Sequence, residues 1–240
     1  MNLGPVPLTE MNRFAPTSSE NETAYGTRVA CFVCPSDSGG PRQGPGTVNY
    51  RYNVGCADTH TPGGPGQLEG AFQVSRSLTE ADFRDGLSLT AGMSEKLVGN
   101  QDPSKFAPAR DFWPSGALGL GDDESGDTVL NTCRAVSGVP RHFFSSAGFS
   151  WAMGTAPTIW YNHVAAPNEP AADCSLSGPE GGISPDSNRY YSLAARSQHP
   201  RGVNLLMMDG AVHFARDGMS LRVWRALGSR SGGESTDAGF

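Results

Sequence analysis

A chain with 31 glycines and 18 prolines among 240 residues cannot run far in any regular element. Glycine admits positive φ at little cost and proline withholds an amide donor, so the backbone is cut into short segments joined by turns. That argues against a helical bundle. Hydrophobic residues fill 37% of the positions, enough at this length for a substantial core. The patterning predicts an α+β fold: an antiparallel β-sheet with long loops, short helices and a C-terminal β-hairpin.

Charge narrows the partners. A net charge of −6 and a pI near 5.3 offer no basic field to a polyphosphate backbone, so no nucleic acid is expected. There is no run of 18 apolar residues, and Met1 opens directly onto Asn2-Leu3-Gly4-Pro5, without a basic or apolar leader. Membrane insertion by the chain as given is therefore not expected. Five cysteines, Cys31, Cys34, Cys56, Cys133 and Cys174, in a loop-rich chain point to an oxidising compartment, and their odd number leaves at least one thiol unpaired.

Residues 1–30 read as a polar lead-in and 31–240 as a single domain. Residues 28–34 read as a strand ended by Pro35, 47–54 as a strand, 61–66 as an exposed loop and 72–74 as a further strand. Ser77, with Glu80 three residues later, predicts a short capped helix ending before Gly86. A central strand is expected within 89–97, a long polar insertion over 99–128, strand character in 143–153 and 157–162, and a loop over 167–188. The clearest element follows: residues 203–208 form an apolar run, Asp209-Gly210 suits a two-residue type I′ turn, and 211–214 return as the partner strand. Ser220 then caps a helix over 221–227 that docks Trp224 on the hairpin, with Gly228 as its stop.

Several motifs resemble chemistry without completing it. Asp37-Ser38-Gly39-Gly40-Pro41 has the look of a serine-protease nucleophile, but Ser38 precedes every histidine, and the Gly-x-Ser-x-Gly elbow lacks its leading glycine. Cys31-x-x-Cys34 could supply half of a zinc site, yet no second Cys-x-x-Cys or His-x₃₋₅-His pair accompanies it; structural thiols, or a disulfide to Cys56 or beyond, are the expected reading. The acidic run 122–127 fails the EF-hand pattern and reads as a solvated loop. His163, between Asn162 and Val164, reads as a satisfied structural histidine. No cofactor or metal is implied.

In the segment from Ser197 to Val212, His199 is followed by nine residues and then Asp209-Gly210. This resembles the prepilin-type processing-associated His-x₉-Asp-Gly domain, here over 197–240, of a bacterial prepilin-like (pseudopilin-like) family of unknown function. Other blocks resemble the family's signatures in the same order. They are Cys34-Pro35-Ser36-Asp37, Asn49-Tyr50 with Asn53 and Gly55, Asp85-Gly86 with Glu95, Asn162-His163 through Pro167-Asn168 to Cys174, and Trp224 through Gly228 with Glu234. The block at Asp85-Gly86 departs from the family pattern in carrying Leu87 and Leu89 where polar residues are usual. The resemblance implies a pilin-like head, non-enzymatic and extracytoplasmic, in a type II secretion or type IV pilus-like assembly. Its partners would be other pilin-like or envelope proteins, reached through an N-terminal prepilin helix that this chain does not show.

Two expectations follow from the resemblance, and a third from local geometry. Cys174, as the end of its block, pairs with Cys133. Without the long helix, one sheet face exposes an apolar patch. His199 is a hydrogen-bonding residue at the entrance to the hairpin, because a strand of about six residues holds it roughly 20 Å from Asp209. The competing reading, from a different class, is a metal-assisted hydrolase built on His199, Asp209 and neighbouring carboxylates.

Overall fold

A computed structural model describes residues 23, 26–38, 46–56, 69–73, 77–114, 125–135, 140, 142–154, 156–176 and 191–234. Most of the polar lead-in, the loop at 61–66 and acidic positions 122–124 lie outside the described residues, as do Val74 of the expected strand at 72–74 and much of the 167–188 loop.

The fold is mixed α+β, with two sheets. The larger has five strands in the order β4-β1-β2-β7-β8, formed by β1 (Tyr50–Asn53), β2 (Ala91–Glu95), β4 (Trp160–Tyr161), β7 (Gly202–Met207) and β8 (Val212–Arg216). Its pairs are antiparallel except β1 with β4. The smaller sheet orders β3 (Phe112–Pro114), β5 (Asp173–Ser175) and β6 (Tyr191–Ser192), with β3 and β5 parallel. Helix α1 spans Gly126–Ala135, the one-turn α2 spans Ala156–Ile159, and α3 spans Leu221–Gly228.

Side-chain alternation gives the larger sheet two unlike faces. Val203, Leu205, Met207 and Ala215 point to a dry core under α3, whose Trp224 and Leu227 are fully buried there. Trp224 therefore docks on the hairpin as its helical spacing predicts. The other face carries the row Tyr52, Met93, Leu206 and Val212, in register across β1, β2, β7 and β8. Val212 is 64% exposed, Phe214 two residues on is 41% exposed, and Phe72 packs its ring on Tyr52 at 4.8 Å.

The hairpin stands, but its turn differs. Gly210 donates its N–H to the Met207 carbonyl and takes φ +89°, while Met207 donates to Ala211, so the loop has three residues and closes with a glycine bulge. Asp209 stays at negative φ and accepts the Ala211 N–H through Oδ1. Its carboxylate stabilises the bulge, so the left-handed conformation expected of Asp209 falls to Gly210 alone.

Five local expectations are corrected. Residues 28–34 are not a strand, because Ala30–Phe32 close a 3₁₀ turn and the Cys34 N–H is taken by the Asn49 side chain in place of a ladder partner. Phe72 is not in a strand. The short helix after Ser77 is a 3₁₀ turn, Glu80–Asp82, and its reciprocal cap joins Thr79 to Asp82, leaving Ser77 and Glu80 out. The insertion at 99–128 contributes β3 and the start of α1, and of the stretch 157–162 the first part is α2. Ser125 accepts the Thr128 N–H and Val129, Leu130 and Cys133 share one buried face, which is why α1 forms there.

Cys133 on α1 and Cys174 on β5 are bonded, with Cα atoms 5.8 Å apart, as expected from the family block. Cys31, Cys34 and Cys56 are not disulfide-bonded, so no disulfide involves the Cys31-x-x-Cys34 pair. The closed loop spans 41 residues of sequence, so the variant Cys133→Ala/Cys174→Ala is expected to lose about 2–4 kcal/mol. Urea midpoints of the two proteins at equal m-value check this; coincident midpoints would contradict it.

Candidate functional site

The residues quoted from separate sequence blocks converge at one end of the larger sheet. β1 and β2 place Tyr50 opposite Glu95, on the same face as the row of Tyr52 and Met93. β7 brings Asn204 beside Glu95, whose Oε2 accepts the Asn204 N–H at 2.8 Å and whose Oε1 accepts from Asn204 Nδ2 at 3.1 Å. Onto this carboxylate fold two loops. His199 Nε2 lies 3.0 Å from Glu95 Oε1, and Cys34 Sγ lies 3.6 Å from Glu95 Oε1 and 3.7 Å from His199 Nε2. Cys34 and Glu95 are buried, while the His199 side chain keeps 28% of its surface in solvent.

Each member is held by partners of its own. Asn49 receives the Cys34 N–H on Oδ1 and donates through Nδ2 to Asp37 and to the Lys96 carbonyl, so it fixes the turn from Cys34 to Asp37 against β2. Asp37 also accepts the Val98 N–H and pairs with Arg110 at 2.7 Å. Burial works to raise its carboxyl, but Arg110 and these donors hold it below the usual carboxylate range. On the other side, Asn168 at φ 55° accepts the Ser197 N–H, and Ser197 Oγ accepts the His199 N–H. Burial, and then the Glu95 charge, push the Cys34 thiol up; burial and the Cys34 and Glu95 charges do the same for the Tyr50 phenol.

The remaining quoted residues have structural partners elsewhere. Asn162 bridges β4 to β6, donating to the Tyr191 carbonyl and accepting the Leu193 N–H. Asp85 accepts the N–H groups of Gly232 and Gly233, Gly86 supplies φ +96°, and Glu234 is exposed just beyond that contact. Pro167 precedes the Asn168 turn. Pro35 and Ser36 form the bend between Cys34 and Asp37. His163 is satisfied as expected: Nδ1–H donates to the Trp224 carbonyl and Nε2 accepts from Tyr161 Oη at 3.1 Å.

His199 and Asp209 do not meet. The whole of β7 separates them, Asp209 is exposed in the hairpin loop, and His199 bonds to Glu95 at the strand entrance. Ser38, the serine-protease decoy, is exposed. Asp127, from the acidic run, lies in the first turn of α1 and pairs with Arg225 at 2.8 Å.

A second polar cluster lies under the opposite face of the sheet and escaped sequence reasoning altogether. Lys96 and Arg196 both pair with Asp173, joining the two sheets, and Lys96 also donates to the Ala194 carbonyl. Fully buried Arg51 donates to the Leu97 carbonyl nearby. Burial lowers the Lys96 ammonium to about 7 despite the Asp173 charge, and lowers Arg51 to about 10. Asp173 itself is raised by burial, but Lys96 and Arg196 outweigh this and hold it below the usual carboxylate range.

Among the described residues, no helix is long and apolar enough to cross a membrane. A family model described as protein of unknown function (DUF1559) matches residues 7–220. Neither a curated protein nor a solved structure matches the chain.

Proposed function

Because the chain belongs to the DUF1559 family, which carries no assigned activity, we propose from its residues that it is the non-enzymatic head of a pseudopilin- or minor-pilin-like protein. The head would be exported and displayed in a type II secretion or type IV pilus-like assembly. The observation that carries this reading is the row Tyr52, Met93, Leu206 and Val212, which crosses four strands; its first three members are half-buried, Tyr52 against the cluster of α2, and it opens to solvent at Val212, with Phe214 and Phe72 exposed beside it. A sheet face of this kind suits an apolar helix of a pilin-like or envelope partner. The Cys133–Cys174 disulfide supports an extracytoplasmic setting, where such bonds persist.

A photo-crosslinking side chain at Val212, in the cells that make the protein, tests this. Crosslinks to the apolar helix of a pilin-like subunit, in an envelope fraction where Cys133 and Cys174 resist alkylation, are the expected result. A chain recovered from the cytosol with that pair reduced would overturn export, and an absence of crosslinks would overturn the docking face.

The hydrolase reading draws support from one specific observation, the convergence of His199 with a buried carboxylate. That carboxylate is Glu95, so the hydrolase built on Asp209 loses its geometry. In a screen of activated esters and phosphoesters with Zn²⁺ present, turnover abolished by His199→Gln and untouched by Asp209→Asn would favour the enzyme.

A further inference from the structure

We propose that Cys34, Glu95 and His199 form a binding site for a borderline-soft divalent cation of the Zn²⁺ class. This goes beyond the head-domain reading and does not depend on it. Among the described residues, this is the group of His, Cys, Asp and Glu side chains whose ligand atoms all lie within 4.8 Å of one another.

Geometry carries the proposal. Around a tetrahedral Zn²⁺ with metal–sulfur bonds of about 2.3 Å and metal–nitrogen or metal–oxygen bonds of about 2.0–2.2 Å, neighbouring ligand atoms lie about 3.3–3.6 Å apart. The three separations here are 3.0, 3.6 and 3.7 Å. They describe three corners of such a tetrahedron, with small adjustments needed to admit the ion. The donor set, one sulfur, one imidazole nitrogen and one carboxylate oxygen, suits Zn²⁺ better than Mg²⁺ or Ca²⁺, which take oxygen.

The supporting shell is also in place. Asn204 grips both oxygens of Glu95, Asn49 fixes the Cys34 backbone, and Ser197 fixes that of His199. Outer partners of this kind orient metal ligands and sharpen affinity. Three protein ligands, with the imidazole partly open to solvent, leave the fourth corner to water. On binding, the Cys34 thiol gives up its proton to solvent and the sulfur bonds the metal as thiolate; no oxidation is involved.

The test is titration of the purified chain with Co²⁺ and then Zn²⁺. One equivalent of Co²⁺ is expected to produce a thiolate-to-cobalt charge-transfer band and the intense visible bands of four-coordination, both bleached by Zn²⁺. Cys34→Ser should abolish the charge-transfer band, His199→Gln should weaken Co²⁺ binding at least tenfold, and Asn204→Ala should weaken it about tenfold through Glu95. Cys56→Ser should change nothing. Near-ultraviolet circular dichroism separates lost folding from lost binding, and the partly exposed position of His199 makes His199→Gln the variant expected to fold. Absence of the band in the native chain, its persistence in Cys34→Ser, or native affinity in a folded His199→Gln would each overturn the site.

Discussion

Replacing Asp173 by Asn is expected to cost the fold about 3–5 kcal/mol, the range for removing one partner of a buried ion pair. Asp173 is 3% exposed and is the shared counter-charge of Lys96 and Arg196, which are 2% and 4% exposed. Its second role is to accept the Ala194 N–H, a bond that Asn can keep through its own oxygen. What Asn cannot supply is charge. Lys96, already lowered to about 7, would release its proton and escape much of the penalty, whereas Arg196 has no such exit. Lys96→Met is therefore expected to cost less than half as much, since Asp173 keeps Arg196. Urea unfolding of the three proteins at constant m-value checks the order. Equal losses for the two variants would show that Lys96, not Arg196, holds the cluster together.

The legible parts of the fold are those written in adjacent residues. The hairpin around Asp209-Gly210 and the helix bearing Trp224 each rest on a local period and form where expected, although Ser220 makes no side-chain cap bond and the helix runs through Gly228 to end at Ser229. Residues 28–34 mislead because a short apolar run ended by proline becomes a strand only when a neighbour offers a ladder, and here Asn49 takes the Cys34 amide instead. Helix α1 was hidden by its surroundings: Ser125 and the 129, 130, 133 spacing were visible, but lay at the end of a polar stretch that composition marks as loop.

The candidate site shows the same division at longer range. Cys34, Glu95 and His199 each stood in a recognisable block, yet the residues are separated by 61, 104 and 165 positions, and nothing local announces that they meet. A short-spaced second pair is the local signal of a zinc site near Cys31-x-x-Cys34; the ligand geometry instead comes from two loops laid on Glu95 of β2, one held by Asn49 and the other by Ser197. Lys96, Asp173, Arg196 and Arg51 gave no signal at all, because a buried charge looks like a surface charge until its partner is placed beside it.

Stability is expected to fall as pH is lowered through the histidine range, with His163 as the cause. Its imidazole stacks on Trp224 at 4.0 Å, and its two nitrogens are used by the Trp224 carbonyl and the Tyr161 hydroxyl, so a second ring proton would have to turn that hydroxyl from donor to acceptor in a site closed to solvent. Helix α3 closes over it so tightly that a Cβ on Gly228 would stand 2.5 Å from the His163 side chain. Burial lowers the imidazole to about 3, outweighing the opposing pull of the Trp224 carbonyl. In the unfolded chain the same group titrates near 6.5, so between about 6.5 and 3 the unfolded state binds the extra proton. The contribution of neutral His163 is thus complete above the unfolded value and is lost as pH falls, by about 4–5 kcal/mol over the full interval. Buried carboxylates add their own losses near the acid end, so the informative window is pH 6.5 to 4.5, where His163 alone accounts for about 2–3 kcal/mol. His163→Asn retains a donor toward the Trp224 carbonyl but does not titrate. It should be less stable than the native chain at pH 7.5 and nearly flat across that window. Urea midpoints at half-unit steps of pH read the two slopes, and a variant as steep as the native protein would move the origin of the acid sensitivity away from His163.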